Sequence, residues 1–380
     1  MMALNFLAAY HSLAPPVSGM DIRYVAMRRE IGMPLNRAKS LAFTCVLVTI
    51  GCSSSSEKAR APVTIAWMSK DGTNTFFDTS QNGALLAGDD LTAASGRNVT
   101  VKIMNPADST GDSQVAQIDS ALAAKVDAIC VDVNDVVKVG PAIDQAVAAG
   151  VNVVTFDSDA PDSKRDAYFG IDNNAAGKTS AQLLTQLMGD AGGKIAIMVQ
   201  ENPPTSGNYI ARVKGFTDEL ANHANFSISV TLPCTDAVEV RNQAGCTGIL
   251  EAAMVQYPDV TGWYLARGRV FREAALAQEA PNWTAKVLDG TYKVTTFDAI
   301  PASIDNLQAG YANAVINQKY FGWGYDLINV VFDIVTNNRT VPSFVDSGFD
   351  VVCKNNIQEV AAMWQSQDFR KQLTPCSLLQ

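Results

Sequence analysis

The sequence predicts an α/β protein of two lobes built on parallel sheets, and three observations lead there. Its 380 residues exceed one ordinary doubly wound domain and suit two sizeable cores. From Pro62 onward, short runs rich in β-branched residues alternate with longer helical patterns, which is how parallel sheets covered by helices read in sequence. A composition that is 47% hydrophobic and 18% charged belongs to a packed globular chain rather than a disordered one.

The first series opens with strand VTIAWM at 63–68, followed by VTVKIM at 99–104, DAICV at 127–131 and VNVVTF at 151–156. Helices are expected near 76–95, 112–125 and 138–149, the last stopped by Gly150. A second series runs through strands at 168–171, 194–199, 226–232, 262–266 and 293–297, with helices near 174–190, 206–222, 240–256 and 270–279. After Asp298 come a short helix, a strand at 312–316, a helix near 324–337, extended segments at 345–353 and a last helix near 356–366. These late pieces are too few for a third domain. They are expected to return to both lobes, and several chain crossings of that kind make a hinge. The expected division is 62–166 plus 319–345 for the N-terminal lobe and 167–318 plus 346–376 for the C-terminal lobe.

Ahead of this lies RAKSLAFTCVLVTIGC at 37–52, a basic flank and a short apolar run with the layout of a secretory signal, too short to span a bilayer comfortably. Gly51-Cys52 followed by Ser53 to Ser56 reads as a lipoprotein junction, with Cys52 the lipidated residue and 52–61 a tether. Thr49 stands where such signals usually carry Leu, so a plain secretory signal is the alternative. Residues 1–51 are thus expected to be a signal region whose true start is Met33.

Charge excludes several classes of function. The whole chain carries −9, and removing the five basic and two acidic residues of 1–51 from its 29 and 38 leaves −12. Lys and Arg are scattered, so no nucleic-acid partner is expected. Of the two histidines, His11 falls in the signal region and only His223 follows it, which disfavours histidine-based metal sites and catalysis. Walker A, GxSxG and HExxH motifs are absent, and no GxGxxG follows the first strand. No enzyme activity, cofactor or metal is expected. Export permits disulfides, and Cys234 with Cys246 and Cys353 with Cys376 form two local couples, either bridged or buried as thiols. Cys130, inside an apolar strand, reads as core.

In open α/β sheets, ligands collect beyond the carboxyl ends of strands. After the first strand stand Asn74, Phe76 and Phe77, an amide beside two rings that suits the polar edge and apolar face of a sugar. Asp157 with Ser158 follows one strand and Asp298 another, each carboxylate able to accept two hydroxyl protons. Arg212 and Arg267 are candidate donors, while Gln318 and Trp323 lie near the expected hinge. Each also has a plain structural reading as a cap, ion pair or core residue.

Taken together, NTFF at 74–77, VVTFDSDAP at 153–161, FGIDNNAAGK at 169–178, ARVKGF at 211–216, YPDV at 257–260, TTFDAIP at 295–301 and INQKY at 316–320 resemble type I periplasmic sugar-binding proteins, the ribose- and galactose-type components of ABC transporters. The resemblance implies two Rossmann-like lobes joined by a three-strand hinge, and ligand-contacting roles for Asn74, Phe76, Phe77, Asp157, Arg212, Asp298 and Gln318. Ser158 stands where ribose-type relatives carry Arg, and Arg267 where they offer Asn, so ribose itself is not implied. The function so implied is extracytoplasmic capture of a monosaccharide by a lipid-anchored monomer and its delivery to an ABC permease in the inner membrane. The alternative is a sugar sensor whose closed form is read by a chemoreceptor or histidine kinase. A sugar-responsive repressor would carry a basic helix-turn-helix where this chain has its export-like segment.

Overall fold

A computed structural model of the protein describes residues 60–200, 202–234, 245–272 and 275–379, so the segment 1–51, Cys52 and its serine tether lie outside the described residues. The first lobe is laid down as β1 (Val63–Met68), α1 (Asp78–Ser95), β2 (Val99–Ile103), α2 (Gly111–Ala123), β3 (Ala128–Val131), α3 (Val136–Ala148), β4 (Asn152–Phe156) and β5 (Ala167–Gly170). The second comprises α4 (Asn173–Met188), β6 (Gly193–Val199), α5 (Gly207–Leu220), β7 (Phe226–Pro233), α6 (Gly245–Gln256), β8 (Val260–Leu265), α7 (Leu276–Glu279), α8 (Pro281–Leu288), β9 (Lys293–Phe297), α9 (Pro301–Gln308) and β10 (Ala314–Gln318). The chain then returns as α10 (Tyr325–Asn337), β11 (Phe344–Asp346), β12 (Phe349–Cys353) and α11 (Ile357–Ser366).

Side-chain caps fix where several helices begin. Thr110 accepts from Ser113 N ahead of α2, Asp135 from Val137 N and Lys138 N ahead of α3, and Asp172 from Ala175 N ahead of α4. The central strands β3 and β5 are buried at every residue, as strands covered on both faces must be. Trp67 of β1 stacks on Phe156 at 5.0 Å in the first core, and Phe216 of α5 stacks on Tyr264 of β8 at 4.0 Å in the second. Each such fully buried side chain contributes about 1.5–3 kcal/mol relative to exposure.

Both sheets have six strands and the same order, β2-β1-β3-β4-β5-β11 and β7-β6-β8-β9-β10-β12. Pairing is parallel throughout except for β12, which runs antiparallel to β10. In each sheet the chain moves first to one side of its opening strand and then to the other, opening a crevice at the carboxyl ends of the strands. Three segments cross between lobes: from β5 to α4, from β10 to α10, and from β11 to β12.

Two expectations are corrected. The boundary at 166/167 falls too early, because β5 pairs in register with β4 (Val154 with Ala167, Phe156 with Phe169) and therefore belongs to the first lobe. No helix separates β4 from β5. Their connection is held instead by the Asp159–Arg165 ion pair and by Asp166 Oδ2, which accepts from Val153 N at 2.8 Å. Parallel neighbours usually need a helical crossover, so the alternation rule misassigned this strand. The helix expected at 270–279 is instead a 3-10 turn, Arg269–Arg272, and the short α7. Pro281 then begins α8 after Ala280, whose backbone (φ −131°, ψ 57°) is not helical.

Candidate ligand-binding cleft

The carboxyl ends of the two sheets face each other across a cavity of about 260 Å³. Eight of the ten residues singled out from sequence line it: Asn74, Phe76, Phe77 and Asp157 from the first lobe, and Arg212, Arg267, Asp298 and Gln318 from the second.

On the first-lobe side, Asn74 caps the 3-10 turn Thr75–Phe77, its Oδ1 accepting from Phe76 N at 3.1 Å. Phe76 lies edge-on to Phe77 at 4.9 Å and to Tyr320 at 5.2 Å, and the Arg272 guanidinium sits 4.5 Å over its ring. Asp157 directly follows β4 with a left-handed backbone (φ 53°). Its Oδ2 is 3.3 Å from Lys70 Nζ, while its Oδ1 is buried without a hydrogen-bond partner. Lys70 is shared with Asp132, which follows β3, at 3.4 Å. Burial opposes the charged form of Lys70, but the neighbouring Asp132 and Asp157 carboxylates hold its pKa above the usual lysine range. Burial pushes the Asp132 carboxyl well above the usual carboxylate range, and the Asp157 charge adds to that shift.

The second-lobe side is a continuous polar network. Arg212 is buried and donates from Nε to Asn173 Oδ1 (2.8 Å), from Nη1 to Ala266 O (3.0 Å) and from Nη2 to Gln318 Oε1 (3.0 Å), with its guanidinium 3.9 Å over the Phe297 ring. Gln318 Nε2 donates to Asp298 Oδ1 at 2.9 Å, Tyr320 OH donates to the same oxygen at 3.2 Å, and Arg272 lies 3.5 Å from Asp298 Oδ2. Arg267 Nη1 donates to Cys234 O at 3.0 Å. The Arg212 position depends on how closely α4 and α5 approach: a Cβ on Gly177 would lie 2.0 Å from Arg212 O, and one on Gly215 2.0 Å from Asn174 O. Only glycine at both positions lets the two backbones touch.

Ser158 and Trp323 are placed elsewhere. Ser158 is buried at a contact between the lobes, where its Oγ is 3.4 Å from Ser206 Oγ and accepts from Asn208 N at 3.3 Å. Gly207 completes that contact, since a Cβ there would stand 2.4 Å from Asp159 O. Trp323 is fully buried behind Phe76, ring centroids 6.1 Å apart, and its carbonyl accepts from Trp67 Nε1 at 3.2 Å. Both cysteine couples are bridged, Cys234–Cys246 and Cys353–Cys376, while Cys130 is a buried thiol whose pKa burial raises. Among the described residues, no group of His, Cys, Asp and Glu could hold a metal, and no helix is long and apolar enough to cross a membrane.

A periplasmic binding protein domain matches residues 65–339, which takes in all the residues that line the cleft and all of both sheets except the first two residues of β1 and the strands β11 and β12. The chain belongs to the periplasmic binding protein family. Within this family, the chain is similar to the xylose/arabinose-binding protein XylF of Sulfolobus acidocaldarius, at 23% identity over 199 residues. That alignment covers 50% of this chain and 45% of the relative, so the chain spans less than half the length of that protein. An ABC transporter solute-binding protein from Agrobacterium vitis bound with α-D-tagatopyranose superposes with a TM-score of 0.65 at 25% identity, covering 79% of this chain and 97% of that one. A structure of GanP, a glucose-galactose binding protein from Geobacillus stearothermophilus, superposes with a TM-score of 0.66 at 23% identity, covering 77% and 98%. The periplasmic binding protein fold with two α/β lobes is therefore the fold of this chain.

Several residues of this periplasmic binding protein cleft escaped the sequence reading, among them Lys70, Tyr209 and Arg272 in its lining, and Asp132 and Asn173 just behind it, which hold Lys70 and Arg212. Asp132 follows its strand directly, as Asp157 and Asp298 do, so the strand-end rule applied at 131 reaches it. Tyr209, near the start of α5, has Lys70, Arg212 and Arg267 within 5.5–5.8 Å of its ring, an arrangement with no local sequence signal.

Proposed function

We propose that this periplasmic binding protein works outside the cytoplasm, closes its two lobes over one monosaccharide and delivers it to an ABC permease without chemistry on the ligand. The observation that carries the reading is the cavity between the strand ends, about 260 Å³ and lined by residues of both lobes. It is slightly below the usual range of small-molecule sites, about 300–1,000 Å³, and suits a single sugar ring. The Phe76 ring covers the apolar face of the sugar. Asp157 and Asp298 accept from its hydroxyls, and Arg212, Arg267 and Lys70 donate. Cys52 carries the lipid that keeps a monomeric chain at the membrane, and residues 1–51 are the export signal.

The ligands named for the relatives, tagatose and glucose or galactose, support a neutral monosaccharide. Deleting the gene and following uptake of labelled D-xylose, D-arabinose and D-galactose tests the transport step. Loss of uptake of one sugar, restored by the wild-type chain, is the expected result. Intact uptake with a lost transcriptional response to that sugar would instead favour the sensor reading.

A further inference from the structure

We infer that the Cys234–Cys246 disulfide positions Arg267 in the cleft, so that full ligand affinity is reached only after the chain has been oxidised. This rests on the proposed reading of Arg267 as a ligand-facing donor.

Cys234 is completely buried just beyond β7, and its carbonyl oxygen accepts from Arg267 Nη1 at 3.0 Å. Two restraints orient that carbonyl. The Cys234 N–H donates to Val199 O at 2.7 Å, tying the residue to the end of β6. Its Sγ is bonded to Cys246, the second residue of α6. Helix α6 is itself anchored, since Thr247 Oγ1 donates to Glu279 Oε2 at 2.7 Å and Glu251 Oε1 accepts from Trp283 N at 2.8 Å. A covalent path therefore runs from an anchored helix to a carbonyl that accepts from Arg267.

The second disulfide provides an internal control. Cys353–Cys376 ties β12 to the C-terminal tail, and Cys353 contacts the side chains of Asn355 and Asn356, which do not line the cavity, whereas Cys234 accepts from the cavity residue Arg267. The two bridges have the same chemistry and differ in what they hold. Reduction of Cys234–Cys246 leaves the strand hydrogen bond of Cys234 in place but frees its side chain from α6, letting the carbonyl and Arg267 drift. Disulfides persist in oxidising compartments and not in the cytosol, so the same sequence would bind weakly before export and tightly after it.

The test is a double-mutant cycle on the full chain. Titration with D-arabinose, D-galactose and D-tagatose compares wild type, Cys234→Ser/Cys246→Ser, Arg267→Ala and the combination. Cys353→Ser/Cys376→Ser is the control, and reduction of the folded wild type is a route that needs no refolding. Removing the first bridge is expected to weaken binding roughly tenfold, the effect of loosening one charged hydrogen bond. No further loss is expected when Arg267 is already Ala, and none from the control pair. Equal weakening with and without Arg267, or none at all, overturns the proposal.

Arginine side-chain NMR reads the positioning without any sugar. Separate Arg267 Nη signals, merging when the bridge is broken, support the inference, and signals that do not respond to the bridge refute it. If no sugar binds, the functional reading fails while this measurement still decides the positioning.

Discussion

Asp157 and Asp298 occupy matching places on the two sheets. Each immediately follows the fourth strand across its sheet, each is buried, and each has a left-handed backbone, φ 53° and 74°. A left-handed residue with a side chain is uncommon and is best tolerated by Asp and Asn. The two carboxylates are thereby turned toward the cavity from opposite lobes.

Asparagine keeps that backbone and removes the charge. Asp157→Asn and Asp298→Asn should each weaken sugar binding about 10- to 100-fold, the range for hydrogen bonds to charged groups, with far-UV spectra unchanged. Isothermal titration measures it. Unchanged affinity in both variants would remove the carboxylates from the ligand site.

Gly177→Ala inserts a methyl where the α4 and α5 backbones touch, 2.0 Å from Arg212 O. Overpacking of this kind costs about 1–3 kcal/mol, and here it also displaces Arg212 from Asn173 and Gln318. Urea unfolding should show the lost stability, and titration a weaker ligand. A variant as stable as wild type contradicts the close approach.

Gly207→Ala acts on closure. Its methyl would meet Asp159 O across the lobe contact, so the lobes should rest further apart. Small-angle scattering should give a larger radius of gyration with a fold of unchanged stability, and affinity should fall because closure contributes to binding. Equal scattering and equal affinity would show that the contact does not limit closure.

Asp132 sets a pH dependence. Its folded pKa is raised, chiefly by burial, so the folded state binds its proton more tightly than the unfolded chain. The associated stability is present at acid pH and is lost as pH rises from the ordinary carboxylate value toward the raised one. Asp132→Asn cannot titrate. Across that window the melting temperature of wild type should fall relative to the variant, and parallel curves would contradict the assignment.

Much of this was legible in the sequence because the signals are local. Continuous apolar runs such as AICV and VNVVTF mark strands buried on both faces, and Asp157 and Asp298 follow from the strand-end rule alone. The spacing of Cys234 from Cys246 and of Cys353 from Cys376 marked both couples while leaving bridge or thiol open, and the structure has both bridged. What depends on pairing across the sheet was not legible. Strand β5 has the same pattern in either lobe, and only its register with β4 assigns it. Ser158 sits at a strand end as a ligand residue would, yet it turns to Ser206 and Asn208 of the other lobe. Lys70 and Tyr209 meet only because the two lobes face each other, a relationship no sequence window contains.

The most direct measurement is calorimetric titration of the purified chain with D-xylose, D-arabinose, D-galactose and D-tagatose, repeated with Asp298→Asn. Saturable binding of one monosaccharide at a single site, weakened in the variant, is the expected result. Failure of every monosaccharide to bind a folded chain, or binding indifferent to Asp298, would contradict a sugar in this cleft.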